Sequence, residues 1–338
     1  MTAVEFANFD ESLSIIKGNV DPEGTAVYSV VRNEMYFLPA FLEHYRQLGV
    51  QQFLFLDDKS DDGTREYLLA QPDCAVAQSS RRYGEQIAGW RQHIIWKNQI
   101  PHQFLPGRWA ICADADEFLF LPPALPTVDA LVEVLEWRGT TAVSGVMVDF
   151  YPATLADMEA LGAPRDRSEL FAAYPWFDAG PYFHWWGGEL LPAAPYGGVR
   201  ARLLRKYGIS RRKKPKSWIK RLRIAIRGGV PNGPWIAKVP LVKWLPNRIY
   251  RNSHSLNIAP DVTIMLPIVH FKMTSDLHKR VFAAIESRSH VKGSQEYFEL
   301  ADLLEVMKMT GGNFIDECSI RFTDVKDLEE NGLMKVNL

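Results

Sequence analysis

The alternation of short apolar runs with helical patterns over the first 150 residues constrains the fold more than any other feature. The spacing predicts strands at 25–31, 52–56, 75–77, 109–113 and 142–148, with helical segments at 37–48, 64–70, 83–98 and 131–137. Strands that alternate with helices through short connections form a parallel sheet covered by helices. The sequence therefore predicts an α/β fold, followed by a C-terminal extension with helices at 277–289 and 295–309.

Two acidic clusters stand where predicted strands end. Asp57-Asp58 follows the second predicted strand, and Asp114-Ala-Asp116 follows the fourth. Because ligands of parallel sheets bind beyond the carboxyl ends of the strands, we expect the two clusters to share one crevice. Carboxylates are the ligands that Mg²⁺ and Mn²⁺ prefer. The sequence predicts a divalent-metal and nucleotide-diphosphate site here.

Each of these segments also has an ordinary structural interpretation. Asp57-Asp58 can belong to a well-capped turn, and the two carboxylates of Asp114-Ala-Asp116 can be solvated turn residues. Arg32-Asn-Glu34, after the first strand, is either a polar helix start or part of the nucleotide cleft. The joint occurrence of the segments favours the functional interpretation.

The order and spacing of four segments resemble the nucleotide-binding half of glycosyltransferase family 2 and the related family 92 proteins. These segments are Val31–Glu34, His44–Val50, Leu56–Thr64 and Ala113–Phe118. The resemblance implies a GT-A-like, Rossmann-like fold and metal-dependent transfer of a sugar from a nucleotide-sugar donor, with a UDP-sugar expected first. It also implies inversion and a glycan, lipid-linked or other hydroxyl acceptor.

The resemblance implies a division of the chain and roles for the acidic residues. The nucleotide-binding half spans 1–150, the acceptor-binding half 151–272 with a basic segment at 200–227, and the helical extension 273–338. Asp57 or Asp58, with Arg32 and Glu34 nearby, contacts the nucleotide. Asp114 contacts the ribose or the metal, and Asp116 binds the metal.

Val269-His-Phe-Lys272 is similar to a C-terminal histidine segment of these enzymes. The resemblance implies that His270 completes the metal ligands and that Lys272 meets a phosphate. Imidazole suits Mn²⁺ better than Mg²⁺, so a ligating His270 favours manganese. The ordinary alternatives are a strand-end histidine and an exposed lysine.

An inverting transfer needs a base that takes the proton of the acceptor hydroxyl. The acidic pair that family members carry well beyond the metal motif is absent from this chain. Glu189, after two Trp and two Gly, is the predicted catalytic base and Asp178 the second candidate. A loop carboxylate without a special role is the alternative for Glu189. Asp149, at the end of the last predicted strand, is expected at most to contact the acceptor.

Residues 190–260 contain 17 Lys or Arg and no Asp or Glu, although the net charge of the chain is −1. Arg200, Arg202, Arg205 and Lys206 are candidates to flank the diphosphate. Arg211–Lys214 favours a peripheral contact with an anionic membrane or an acidic acceptor. A solvated basic face is the alternative, and no nucleic-acid partner is expected because no nucleic-acid motif accompanies the charge.

Two further interpretations of function stay open. A sugar-phosphate nucleotidyltransferase uses carboxylate-bound metal on a similar sheet, but Val31–Glu34 lacks the Gly-rich basic loop expected there. The second alternative is a non-catalytic protein that binds anionic glycans or a membrane. The three separated cysteines and the lack of an apolar leader favour a cytoplasmic location, with contact at the inner face of the membrane as an option.

Overall fold

The computed structural model describes residues 13–21, 23–179, 185–186, 189–190, 197–209, 222, 235–287 and 291–336. These residues form two compact units. The first draws on Met1–Ser144 and Lys238–Asp261, and the second on Gly145–Ala237 and Val262–Asn337. The predicted functional boundaries at residues 150 and 272 stay a prediction.

The strands lie throughout the chain and are numbered in order. They are β1 (Ser14–Lys17), β2 (Ala26–Val31), β3 (Gln52–Asp57), β4 (Cys74–Gln78), β5 (Gln86–Ile87), β6 (Trp90–Arg91), β7 (Trp109–Cys112), β8 (Glu117–Leu119), β9 (Ala142–Asp149), β10 (Trp176–Asp178), β11 (Trp185–Trp186), β12 (Glu189–Leu190), β13 (Ala237–Lys243), β14 (Tyr250–Asn252), β15 (Ser255–Leu256), β16 (Asp261–His270), β17 (Ser319–Arg321) and β18 (Lys335–Val336).

The described helices follow the same chain order. They are α1 (Leu38–Gln47), α2 (Thr64–Ala70), α3 (Gln92–Phe104), α4 (Val128–Trp137), α5 (Leu155–Ala160), α6 (Arg167–Ala173), α7 (Gly198–Lys206), α8 (Leu277–Ser287), α9 (Val291–Thr310) and α10 (Val325–Glu330). The helices α8 and α9 confirm the two predicted for the C-terminal extension, and α10 is a further, short one. Among the described residues, no helix combines the length and the apolarity that a bilayer span requires.

The first unit is built on a sheet with the order β1-β4-β3-β2-β7-β13. The four central strands are parallel, and β1 and β13 are antiparallel to their neighbours. In chain order the parallel strands lie 3-2-1-4, which is the start of the Rossmann order. The predicted α/β fold with a mainly parallel, Rossmann-like sheet is confirmed.

Helices cover both faces of this sheet because successive strand residues point to opposite sides. Leu54 and Leu56 of β3 share a buried cluster with Trp96 and Ile100 of α3. Phe55, between them in sequence, instead meets the ring of Phe41 in α1, with ring centroids 6.0 Å apart. The continuous apolar run of β3 is therefore buried on both sides.

The second unit contains β9, β16 and β18 as neighbouring strands. Its apolar centre is aromatic: the ring of Phe150 stacks on Phe177 with centroids 5.4 Å apart and meets the edge of Phe271 at 5.8 Å. This packing anchors the chain directly after the end of β9.

The prediction of helical structure from residue 83 is wrong for the first part of that segment. The chain first forms the hairpin β5-β6, whose turn residues Ala88 and Gly89 have φ values of 48° and 82°. Two left-handed residues are typical of a two-residue hairpin turn, which interrupts a helix. The helix α3 therefore begins only at Gln92.

Candidate functional site

The acidic clusters of the first unit lie at the point where its strand order reverses. The chain passes from β2 to β3 and β4 on one side, and then to β7 on the other side of β2. Crevices at such a point bind ligands in open α/β sheets. Asp57 ends β3 and Asp114 follows β7, so two strand spacings, roughly 10 Å, separate the strand ends.

Asp58 is a buried carboxylate with few close partners. Its side chain has 0% exposure, and its Oδ2 accepts the amide N–H of Tyr83 at 3.2 Å. The guanidinium groups of Arg32 and Arg82 approach only to 3.8 Å and 4.0 Å. Burial raises the pKa of Asp58, and the amide and the two arginines counteract this only in part. A carboxylate kept in such a place is typical of a functional site.

Asp57 is equally buried but is held by its own loop. Its Oδ1 accepts the amide N–H of Ser60 at 3.2 Å, and its Oδ2 lies 3.6 Å from Arg65 Nη1. Asp57 therefore fixes the turn after β3. Of the two carboxylates, Asp58 is the better candidate to contact a ligand.

The loops after β2 and β3 are tied to each other. Asn33, with φ of 59°, donates its amide N–H to Ser60 Oγ at 3.0 Å and its side-chain N–H to Asp61 Oδ1 at 2.8 Å. Glu34 donates its amide N–H to Thr64 Oγ1 at 2.8 Å. The predicted nucleotide segments thus form one ordered edge of the cleft.

The acidic triplet forms a tight turn between β7 and β8. The amide N–H of Glu117 donates to the carbonyl of Asp114 at 2.9 Å, and the amide N–H of Asp114 donates to Glu117 Oε2 at 3.2 Å. The hydroxyl of Tyr45 donates to the carbonyl of Glu117 at 3.0 Å. These bonds fix the backbone on both sides of Asp116.

Two buried lysines hold the flanking carboxylates of this turn. Lys97 of α3 donates to Asp114 Oδ1 at 2.9 Å, and Lys238 of β13 donates to Asp114 Oδ2 at 3.4 Å. Lys238 also pairs with Glu117 Oε1. The lysine side chains are 6% and 5% exposed and that of Glu117 is 3%, whereas that of Asp114 is 43% exposed.

The pKa shifts of Asp114, Lys97 and Lys238 all favour the charged forms. Burial opposes the charge of Asp114, but the ammonium groups of Lys238 and Lys97 hold the pKa of that carboxyl well below its usual range. Burial likewise opposes the charge of both lysines, and the carboxylates of Asp114 and Glu117 raise their pKa. Asp114 therefore presents a partly exposed carboxylate to the cleft, with fixed cations behind it.

The donor set of the turn suits a hard divalent cation. A carboxylate oxygen of Asp116 and one of Glu117 lie within 4.8 Å of each other. Oxygen atoms this close can line one Mg²⁺ or Mn²⁺ site, whether both or only one of them binds the ion. The chemistry fits a metal, although lysine engages Glu117 and both oxygens of Asp114.

In the second unit, His270 belongs to a buried charged chain. Its Nδ1 donates to Asp149 Oδ1, and Arg200 Nε donates to Asp149 Oδ2 at 3.1 Å. Arg200 also pairs with Glu296. Burial would raise the pKa of Asp149, but Arg200 and His270 lower it to about 2. A carboxylate behind an imidazole is typical of histidines that bind metals, and the predicted metal role of His270 stays a prediction.

Lys272 is not an exposed lysine, because only 9% of it is accessible. Its Nζ lies 3.4 Å from the hydroxyl of Tyr297 and 4.7 Å from the centre of that ring. The aromatic contact positions the ammonium group. Contact with a phosphate stays a prediction.

The two candidates for the catalytic base differ in what surrounds them. Asp178 is 5% exposed and receives two bonds from Arg202, at 2.7 Å and 2.8 Å, together with the hydroxyl of Tyr151. These contacts favour a structural role over proton abstraction. Glu189 pairs with Trp186 through the β11-β12 backbone, and its side chain lies outside the described residues.

Sequence reasoning missed Lys97 and Lys238. Lys97 follows the apolar run Ile94-Ile-Trp96 in the part of the helical pattern that becomes α3. Lys238 stands in the strand pattern of β13, with Val239 and Leu241 after it. A lysine inside an apolar segment can signal a buried ion pair, because burial of an unpaired charge is costly.

Comparisons with known proteins find fold neighbours at low similarity. No protein-family model matches the sequence, and no curated protein matches it significantly. The crystal structure of residues 1–349 of TarS from S. aureus aligns over 42% of this chain and 38% of its own, with 12% identity and a TM-score of 0.26. A second crystal structure of S. aureus TarS aligns over 42% of this chain and 23% of its own, with 14% identity and a TM-score of 0.26.

The UTP-bound UGPase from Acinetobacter baumannii aligns over 63% of this chain and 87% of its own, with 10% identity and a TM-score of 0.25. The aligned region thus spans well under half of either TarS chain. All three TM-scores are low.

Proposed function

We propose that this chain is a glycosyltransferase that binds a nucleotide-sugar donor beyond the carboxyl ends of β3, β2 and β7. One observation carries the proposal: a buried carboxylate at Asp58 and the acidic turn of Asp114–Asp116 flank the reversal of strand order. Their separation, roughly two strand spacings or 10 Å, suits a ligand that has its base at one end and its diphosphate at the other.

The contacts of the cleft suggest a role for each residue. Asp58 accepts hydrogen bonds from the base or ribose, because its carboxylate is buried and incompletely paired. Asp114 offers its exposed edge to the ribose, and Asp116 binds the divalent ion. That ion supplies charge neutralisation for the departing diphosphate. Inversion, a UDP-sugar donor and Glu189 as the base are the parts of the proposal that come from the family resemblance.

The proposal is tested by titrating UDP-, GDP- and dTDP-sugars into the protein by calorimetry, with Mn²⁺ or with EDTA. We expect one nucleotide class to bind with Mn²⁺ and to lose at least about ten-fold in affinity, or about 1.4 kcal/mol, in EDTA and in Asp116→Ala. Asp129→Ala, which removes a carboxylate from the first turn of α4, is the matched control and should bind like the wild type.

The outcomes separate the alternatives. Slow release of free sugar from the bound donor supports a transferase, whereas pyrophosphate release from a nucleoside triphosphate and a sugar phosphate supports a nucleotidyltransferase. Tight donor binding that ignores both EDTA and Asp116→Ala would sink the metal assignment. Failure of every nucleotide sugar to bind contradicts the proposed function.

A further inference from the structure

The two lysines at the acidic turn come from different elements and converge on the same carboxylate. Lys97 lies on α3 and Lys238 on β13, and each engages a different oxygen of Asp114. Lys238 also engages Glu117, whose other oxygen accepts the amide N–H of Asp114. Every side-chain oxygen of Asp114 and Glu117 therefore already has an N–H partner.

A buried lysine loses the hydration of its ammonium group, and only close opposite charges offset that cost. Buried lysines are therefore rare. Lys97 and Lys238 are 5–6% exposed, so these ion pairs are a defined part of the core of the first unit. The pairs also change the charge of the turn. Asp114, Asp116 and Glu117 bring three carboxylates, and the ammonium groups of Lys97 and Lys238 pair with Asp114 and Glu117, so the summed charge is about −1 instead of −3.

We propose that Lys97 and Lys238 are positioning residues that keep Asp114 and Glu117 away from the divalent ion, so that Asp116 is the carboxylate of this turn that binds it. The inference rests on the proposed function and refines its metal site. Of the two roles that the resemblance implies for Asp114, it keeps the ribose contact and drops the metal ligand.

This arrangement has a consequence for the order of binding. One carboxylate and a net charge near −1 bind a divalent ion weakly, because affinity rises with the number of charged ligands. The diphosphate of the donor then supplies the missing negative charge and oxygen ligands. The turn would therefore bind Mn²⁺ more tightly with the nucleotide bound than without it.

Lys97→Met tests the inference directly. The substitution removes one ammonium group at similar length and leaves Asp114 paired with Lys238, so no buried carboxylate loses its last partner. The affinity for Mn²⁺ without nucleotide, followed by the electron paramagnetic resonance of free Mn²⁺, is expected to rise on the order of ten-fold. Lys97→Arg, which keeps the charge, is expected to behave like the wild type.

Lys243→Met is the matched control. Lys243 lies on the same strand as Lys238 and pairs with Glu136 at 2.7 Å, but its register partner is Trp109, at the opposite end of β7 from Asp114. Its removal should leave Mn²⁺ binding unchanged. Unchanged or weaker Mn²⁺ binding by folded Lys97→Met overturns the inference.

The wild type provides a second test that does not depend on the folding of a variant. Its Mn²⁺ dissociation constant without nucleotide is expected on the order of 1 mM, as for weakly charged oxygen sites. Micromolar binding overturns the inference while leaving the proposed function standing. Absence of Mn²⁺ binding even with UDP, GDP or dTDP present overturns the proposed function and this inference together.

Discussion

At the scale of single residues, the buried charge of Asp58 is expected to destabilise the fold. Its side chain is fully buried, its nearest cations are 3.8 Å and 4.0 Å away, and burial raises its pKa. An asparagine has the same shape and no charge to desolvate. The charge of Asp58 is therefore better explained by a role in binding than by a role in stability.

Asp58→Asn separates these roles. The pKa of Asp58 is higher in the folded protein than its unfolded value of about 3.9, so ionisation destabilises the fold as the pH rises through that value. At pH 7 the variant is expected to match or exceed the wild-type free energy of unfolding in urea, by up to about 1 kcal/mol. The gain should vanish below about pH 4. Affinity for the nucleotide sugar should fall at least about ten-fold.

The control is Asp73→Asn, for which the change in the free energy of unfolding is expected to have the opposite sign. Burial opposes the charge of Asp73, but two bonds from Arg46, at 2.7 Å and 2.8 Å, lower its pKa. This stabilisation is present above the unfolded pKa and is lost as the pH falls. The variant should lose about 0.5–1 kcal/mol at pH 7 and keep nucleotide binding. If instead Asp58→Asn loses stability and binds normally, Asp58 is structural.

At the scale of elements, local sequence patterns predict the strands and helices whose positions depend on neighbouring residues alone. Residues 52–56 were predicted as a strand and Gln52–Asp57 forms β3, because an uninterrupted apolar run suits a strand buried on both faces. The prediction of a helix at 64–70 matches α2. The hairpin before α3 was missed because it depends on left-handed φ values at Ala88 and Gly89, which the helical spacing conceals.

Local sequence patterns do not predict which side chains pair with each other at the site. Lys238 and Asp114 are 124 residues apart and meet because β13 pairs antiparallel with β7. No periodicity encodes the register of such a long-range pair. The acidic positions could therefore be predicted from strand ends, but their cationic partners could not.

Gly312 tests how closely the end of α9 is packed. A Cβ at this position would clash with the Cβ of Met307 and lie 2.9 Å from its Cα. Because backbone must move to relieve this clash, Gly312→Ala is expected to lower the free energy of unfolding by about 2–3 kcal/mol. Gly162→Ala, where no atom lies within 4 Å of the added Cβ, should change it by less than about 1 kcal/mol. Equal effects in urea denaturation contradict this packing.

At the scale of the whole molecule, charge is uneven in sequence but partly balanced in three dimensions. Four cations of the acid-free stretch pair with acids from outside it: Arg200 with Asp149, Arg202 with Asp178, Lys238 with Glu117 and Lys243 with Glu136. Arg200 and Arg202, predicted to flank the diphosphate, are thus engaged within the second unit. The stretch therefore offers an anionic partner fewer cations than its count of 17 suggests.

The run Arg211–Lys214 lies outside the described residues, and its four cations carry the membrane hypothesis. We expect the full chain to bind vesicles that contain phosphatidylglycerol more tightly than vesicles of phosphatidylcholine, and to lose at least about ten-fold when the run is reversed to glutamate, because each cation near an anionic surface contributes about 1 kcal/mol. The control reverses four lysines of the C-terminal part: Lys279, Lys308, Lys326 and Lys335. Vesicle binding that survives reversal of Arg211–Lys214 removes the membrane hypothesis, and the basic stretch is then better explained by an acidic acceptor or a solvated face.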